Sequence, residues 1–254
     1  MLDSNARILA LETSGQTGSV AIGTADGVIA AEQLPVDVRH ASELMPAVQR
    51  LIAQPGWAPD SITDVFISIG PGSFTGLRIA VSVARTLAWS IGARIVAVPT
   101  MDALARNALL ADPPPAHVAM IVDAKRAQVY TACYRIEPSA PVDASSSSAS
   151  WRCVEVIGAC LAEPREFLSR CPHPVSVLGE GIPRHRAAIE AAGAQILPES
   201  LWAGRAQAVL AAGLEKARAG AFTPARELVP MYIRRPEMEE RWEARQAAAR
   251  QANS

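Results

Sequence analysis

Two stretches from opposite halves of the chain carry the same design: "RILALETSGQTGSVAIGT" at 7–24 and "HVAMIVDAKRAQVYTACYRI" at 117–136. Each reads as an apolar strand, an acidic residue (Glu12, Asp123), a turn and a second strand. Around the first copy the order continues. β-type segments at Ile8–Leu11, Ser19–Gly23 and Val28–Leu34 are separated by the turn sequences "TSGQTG" and "ADG". A helix follows over Ser42–Ala53, where Leu44, Val48, Leu51 and Ile52 recur at helical spacing. Then come a strand (Val65–Ile69), a Gly-rich loop, a helix (Thr75–Ile91) stopped by Gly92, and a strand (Ile95–Val98). This β-β-β-α-β-α-β order is the ribonuclease-H-like half of an actin-type fold.

The second copy continues the same way, with a strand at Cys153–Ile157, a helix at Glu163–Arg170, a strand at Val175–Leu178 and a helix at Arg184–Ala192. A long final helix spans Arg205–Ala219. An internal repeat of this size constrains the fold more than any single motif. The expected architecture is α/β: two ribonuclease-H-like lobes, each a mixed sheet with helices, the second diverged. The N-terminal lobe covers 1–104 and the C-terminal lobe 105–235, with the last helix packing back on the first lobe. The low-complexity segment 137–150, "EPSAPVDASSSSAS", reads as a loop that lengthens a hairpin. The polar tail 236–254 stands outside both lobes.

A chain of 254 residues that is 50% hydrophobic and 19% charged can fill two such cores. No apolar run reaches the ~18 residues of a membrane span, and the N-terminus carries no separate apolar signal core; a soluble, cytoplasmic protein is expected. The net charge of −1 argues against strong independent RNA binding. Cys133, Cys153, Cys160 and Cys171 form no CxxC pair, which makes buried free thiols the expectation.

The stretch "IGPGSFTGLRIA" (69–80) has the form of a phosphate-cradling loop: Gly70, Gly72 and Gly76 with Ser73, Phe74 and Thr75 at the start of a helix. The lysine of a P-loop is missing. Two uses remain open on the residues alone, a weak nucleotide contact or a tight strand-to-helix turn.

Actin-like enzymes hold nucleotide between their lobes on two hairpin turns, with carboxylates handling Mg²⁺ through its waters. The first turn here offers Glu12, Thr13, Ser14 and Gly15. The second, "DAKRAQVY", has no glycine and places Lys125 and Arg126 where phosphate must approach. His40, His117, His173 and His185 never fall three or four apart, so HxxxH and HExxH metal motifs are absent, as is a GxSxG elbow. No metal site and no catalytic residue is expected.

The helix after the Gly-rich loop is apolar nearly all round. Arg78, Ser82, Arg85 and Trp89 line one stripe, while Leu77, Ile79, Ala80, Val81, Val83, Ala84, Leu87, Ala88 and Ile91 cover the rest. Covering one sheet needs a stripe of only about 100°. The excess points to burial on two sides, inside the chain or against a partner.

"LALETSGQTGSVAI", "RHASELMPAVQRLI", "ISIGPGSFTGLRIAVSVARTLAW", "VDAKRAQVY" and "LVPMYIRR" together resemble the TsaB (YeaZ) family of tRNA threonylcarbamoyladenosine biosynthesis proteins, over about Arg7 to Arg235. The resemblance implies a non-catalytic paralogue of TsaD, the enzyme that places threonylcarbamoyl on N6 of adenosine 37 in tRNAs reading ANN codons. It implies a scaffold that binds and activates TsaD, is joined by the ATPase TsaE, forms homodimers and meets tRNA only within the complex. No cofactor is then bound by the chain alone; ATP and Mg²⁺ are used through the partner subunits. It further implies a TsaD-facing surface on the two N-lobe helices, at His40, Leu44, Val48, Leu77, Arg78, Ala80, Val81, Ala84, Arg85, Leu87 and Ala88. Under the same resemblance Gly70, Gly72 and Gly76 shape a turn, Phe74 plugs its side, and Ser73 or Thr75 caps the helix. Glu12, Thr13, Ser14, Gly15 and Asp123 become vestiges of nucleotide turns; many family members have Asp where this chain has Glu12. The alternative is an actin-like phosphotransferase or ATPase with its own nucleotide site.

Overall fold

The computed structural model describes residues 2–35, 40–139 and 150–234. The tail from Pro236 and most of the Ser-rich segment lie outside the described residues. The N-terminal lobe is built from β1 (Ile8–Glu12), β2 (Ser19–Thr24), β3 (Gly27–Gln33), α1 (His40–Ala53), β4 (Asp64–Ser68), α2 (Phe74–Ile91) and β5 (Arg94–Val98). Its strands lie in the order β3-β2-β1-β4-β5, antiparallel within the β1–β2–β3 meander and parallel across β1–β4 and β4–β5.

The central strands β1 and β4 are buried at every position, so both sheet faces must be covered. Side chains alternate between faces, and the two cores follow that alternation. Leu9, Leu11, Val65 and Ile67 pack with Leu44, Val48, Leu51, Ala80 and Ala84 of α1 and α2. Ile8, Ala10 and Phe66 point the other way, onto Val209, Leu210 and Leu214 of a late helix.

The C-terminal lobe repeats the plan. It contains α3 (Thr100–Asn107), β6 (His117–Met120), β7 (Val122–Asp123), β8 (Val129–Ser139), β9 (Ser150–Ala162), α4 (Pro164–Arg170), β10 (Ser176–Leu178), α5 (Ile182–Ala191) and β11 (Gln195–Ile196). β11-β10-β6-β8 run in that order, with β7 also beside β8 and β9 on its far edge. The sequence β9-β8-β6-β10-β11 therefore matches β3-β2-β1-β4-β5 strand for strand, with the same parallel and antiparallel relations.

The last helix, α6 (Ala206–Arg218), does not stay with the lobe that precedes it: its buried face supplies the second cover of the N-terminal sheet. The sequence reading has no helix at 100–107. α3 is short, follows Pro99 and runs into a further 3-10 turn at Ala108–Leu110, so it offers too few turns for periodicity to stand out. It is the buttress between the lobes. Met101 and Leu104 enter the C-terminal core while Ala103 enters the N-terminal one. Asp102 accepts a 2.5 Å hydrogen bond from Tyr134 Oη on β8 and lies 3.6 Å from Lys216 Nζ on α6.

After α6 the chain crosses back over both lobes as a strap. The Thr223 N–H donates to the Ile95 carbonyl (2.8 Å), Leu228 is buried in the α1–α2 core, and the Met231 N–H donates to the Ile69 carbonyl (2.6 Å). Arg234 then reaches the second hairpin turn, donating to the Ala124 carbonyl and Gln128 Oε1.

Candidate functional site

The Gly-rich loop and the first hairpin turn are pressed together, backbone on backbone. Ser73 N–H donates to the Ser14 carbonyl (2.6 Å) and Thr13 Oγ1 donates to the Gly76 carbonyl (2.8 Å). A Cβ on Gly72 would strike the Ser14 carbonyl, and one on Gly76 the Thr13 carbonyl. Only glycine permits that approach. Ser73 is the N-cap of α2, its Oγ accepting from the Gly76 N–H at 3.3 Å. Gly70 donates to Thr100 Oγ1 (3.1 Å), and the Leu77 N–H goes to the Ser73 carbonyl (2.9 Å). These donors are engaged within the chain, so the loop is built as a strand-to-helix turn.

Glu12 ends β1 beneath that junction, fully buried. Its Oε1 accepts from Ser14 N–H (2.6 Å) and Ser14 Oγ (2.5 Å). Its Oε2 has no hydrogen-bond partner among the described residues; neither does the hydroxyl of Ser68, a neighbour that interacts with this carboxyl. Burial raises the Glu12 pKa above the usual carboxylate range, the bonds from Ser14 and Ser68 oppose the rise, and the nearby Glu180 adds to it. A proton on Oε2 supplies the donor that both orphaned oxygens lack.

Asp123, in the equivalent place of the second lobe, is held differently. Arg184 donates to its Oδ2 at 2.8 Å, His185 Nε2 lies 3.4 Å from its Oδ1, and the Lys125 N–H donates to Oδ1 at 3.2 Å. Lys125, Arg126 and Ala127 all take left-handed backbone angles (φ 62°, 53° and 57°). No cluster of three or more His, Cys, Asp or Glu suited to a metal ion occurs among the described residues. The structure thus brings Glu12, Thr13, Ser14, Gly15 and the Gly-rich loop into one junction, and leaves Asp123 in a separate ion-pair cluster.

The helix surface needs correction. Leu44, Val48, Leu77, Ala80, Val81 and Ala84 are not exposed contacts; each is buried in the chain's own core against the sheet. The excess apolar surface of α2 is absorbed by α1 and by the strap, with Leu87 and Ala88 partly covered beside Ala225 and Leu228. Arg85 is exposed at its tip but ties down the strap, donating to the carbonyls of Ala225 (2.8 Å) and Arg226 (3.1 Å). His40 begins α1; its side chain lies outside the described residues.

Phe74 is likewise not a plug. It is 40% exposed, its centroid 5.3 Å from that of Tyr232, with the Arg78 guanidinium 3.9 Å from its ring centre. Arg78 Nε donates to Tyr232 Oη at 3.2 Å. Beside this cluster, α1 and α2 leave an open groove of about 430 Å³, lined by Met45, Phe74, Thr75, Arg78, Ile79, Ser82 and Val83 over Leu44. Trp89, 89% exposed, stands further along α2. Sequence reasoning missed Met45, Glu180, Tyr232 and Arg234. Tyr232 and Arg234 sit in "LVPMYIRR" and Glu180 in "VLGEGIPRH", between two glycines directly after a strand, which was the available signal.

Two duplicated α/β lobes with buttressing helices between them define an actin-like fold, here without the glycine-bearing second turn or free donors of a nucleotide enzyme. A family model described as TsaD, tRNA N6-adenosine threonylcarbamoyltransferase, matches residues 35–242. The chain is 32% identical over 238 residues to the tRNA threonylcarbamoyladenosine biosynthesis protein TsaB of Bacillus subtilis, covering 92% of this chain and 97% of that protein. TsaB of Escherichia coli is 31% identical over 129 residues, 51% of this chain and 55% of that protein. The structure of YeaZ from Pseudomonas aeruginosa superposes with a TM-score of 0.71 at 24% identity, covering 89% of this chain and 99% of that one. The chain belongs to the TsaB (YeaZ) family. Among the described residues no helix is long and apolar enough to cross a membrane.

Proposed function

We propose that the chain is a non-catalytic subunit in the formation of threonylcarbamoyladenosine at position 37 of tRNA, and that it binds and activates TsaD through the α1–α2 face. Membership of the TsaB family supports the pathway. The observation that carries the docking surface is the groove between α1 and α2, where Met45, Phe74, Ile79 and Val83 stay open to solvent beside Arg78 and Tyr232. An apolar centre rimmed by aromatic and arginine side chains is the composition that interfaces favour. The contacts are therefore assigned to groove-facing residues of α1 and α2 and to the strap, in place of the buried alanines. A second copy of the chain would use the same face, so homodimer and TsaD complex compete. TsaE joins the TsaB–TsaD pair, and ATP, Mg²⁺ and tRNA are engaged by the assembled cytoplasmic complex.

Calorimetric titration of the purified chain tests this. Saturable binding to TsaD from the same organism with no heat from Mg-ATP is expected. Tight Mg-ATP binding without affinity for TsaD would favour the phosphotransferase reading instead.

A further inference from the structure

The first hairpin turn already has an anion on it. Gln16 N–H donates to Glu180 Oε2 at 2.7 Å, although the two residues belong to different lobes. Gly15 lies so close that a Cβ there would sit 2.6 Å from the same oxygen. Glu180 is held rigidly from behind. It lies between Gly179 and Gly181, both packed onto the Ile121 carbonyl, which accepts the Gly181 N–H at 2.9 Å. The Ile121 N–H in turn donates to the Leu178 carbonyl at 2.8 Å, fixing the loop to β6.

The pocket behind the turn is polar and incompletely satisfied. Glu12 is wholly buried there, its Oε2 without a partner among the described residues, and Gly204 closes the wall so tightly that a Cβ would lie 2.8 Å from Glu12 Cγ. A glycine-lined turn whose amide points at a carboxylate from across the cleft has the chemistry of an oxyanion cradle.

We propose that the turn at Thr13–Gly18 is an oxyanion cradle in which the chain's own Glu180 carboxylate takes the ligand's place, latching the two lobes together and shutting out phosphate. The ligand class this site takes once Glu180 is removed is a tetrahedral oxyanion, free or carried on a nucleotide. This does not depend on what docks at the α1–α2 groove, which lies on another face of the N-terminal lobe.

Amide hydrogen exchange at Gln16 in the full chain, with and without inorganic phosphate, tests the proposal. In Glu180→Ala the Gln16 amide is expected to exchange about tenfold faster, the loss of one charge-assisted bond. Phosphate should restore its protection in the variant and leave the wild type unchanged. Mg-ATP in a parallel arm separates the sources: protection by phosphate alone marks a site for the free ion, protection by both a site that also admits nucleotide, and either supports the cradle. Unchanged exchange in Glu180→Ala, or exchange that phosphate does not slow, overturns it. Should Glu180→Ala lose its native circular dichroism, Glu180→Gln carries the test, since it keeps the side chain's shape without its charge. Faster exchange slowed by phosphate is again the supporting result, and wild-type exchange the contrary one.

Discussion

Glu12 holds a proton because its surroundings leave the charged form poorly served. One oxygen receives two hydrogen bonds from Ser14, while the other faces a buried site with no donor among the described residues. Its folded pKa is raised from the ordinary 4.5. The folded state therefore keeps a proton that the unfolded state releases above that pH, and stability falls as pH rises from the unfolded toward the folded pKa. Glutamine reproduces the protonated shape and brings its own donor. Glu12→Gln should raise Tm at neutral pH by roughly 3–6 °C, for a gain of about 1–2 kcal/mol. The gain should shrink as pH falls toward 4.5. Thermal melts across that range check it; a variant less stable than the wild type at neutral pH would mean that Glu12 is ionised in the fold.

At the scale of elements, α2 shows what a sequence pattern resolves and where it stops. Its extent, its Ser73 cap and its stop at Gly92 follow from local chemistry, and the reading over Thr75–Ile91 differs from the observed Phe74–Ile91 by one residue. Which neighbour covers each apolar residue is a tertiary matter. Ala80 and Ala84 are small because the sheet lies against them, and the strap that shields Leu87 and Ala88 arrives from more than a hundred residues away. Glycine at the start of the helix has the same logic: Gly76 is fixed by the Thr13 carbonyl, which no local window contains. Gly76→Ala should destabilise the lobe by about 3 kcal/mol or more, since backbone cannot yield as a side chain does. Denaturant melts check this; a loss under about 1 kcal/mol would show that the turn and the loop can separate.

Across the whole molecule, the repeat was legible because each lobe writes the same strand order into its hydrophobic pattern. The long-range pieces were not. α3 is too short to declare itself, the strap lacks regular structure, and Glu180 and Gln16 meet only once both lobes have formed. The candidate docking face was legible as two helices but not as side chains, because period alone cannot distinguish an apolar residue facing the sheet from one facing solvent. The corrected face makes the central claim sharp. Ser82 is exposed and lines the groove without entering the core, so Ser82→Arg should change folding stability by no more than about 0.5 kcal/mol. An arginine there places an unpaired cation in the apolar centre of the proposed interface, which costs about 2 kcal/mol or more on binding. The most direct measurement is the affinity of TsaD for the wild type and for Ser82→Arg, with melting curves alongside. The account predicts at least a roughly thirtyfold loss of affinity at unchanged Tm; equal affinity in the two proteins would show that TsaD binds elsewhere.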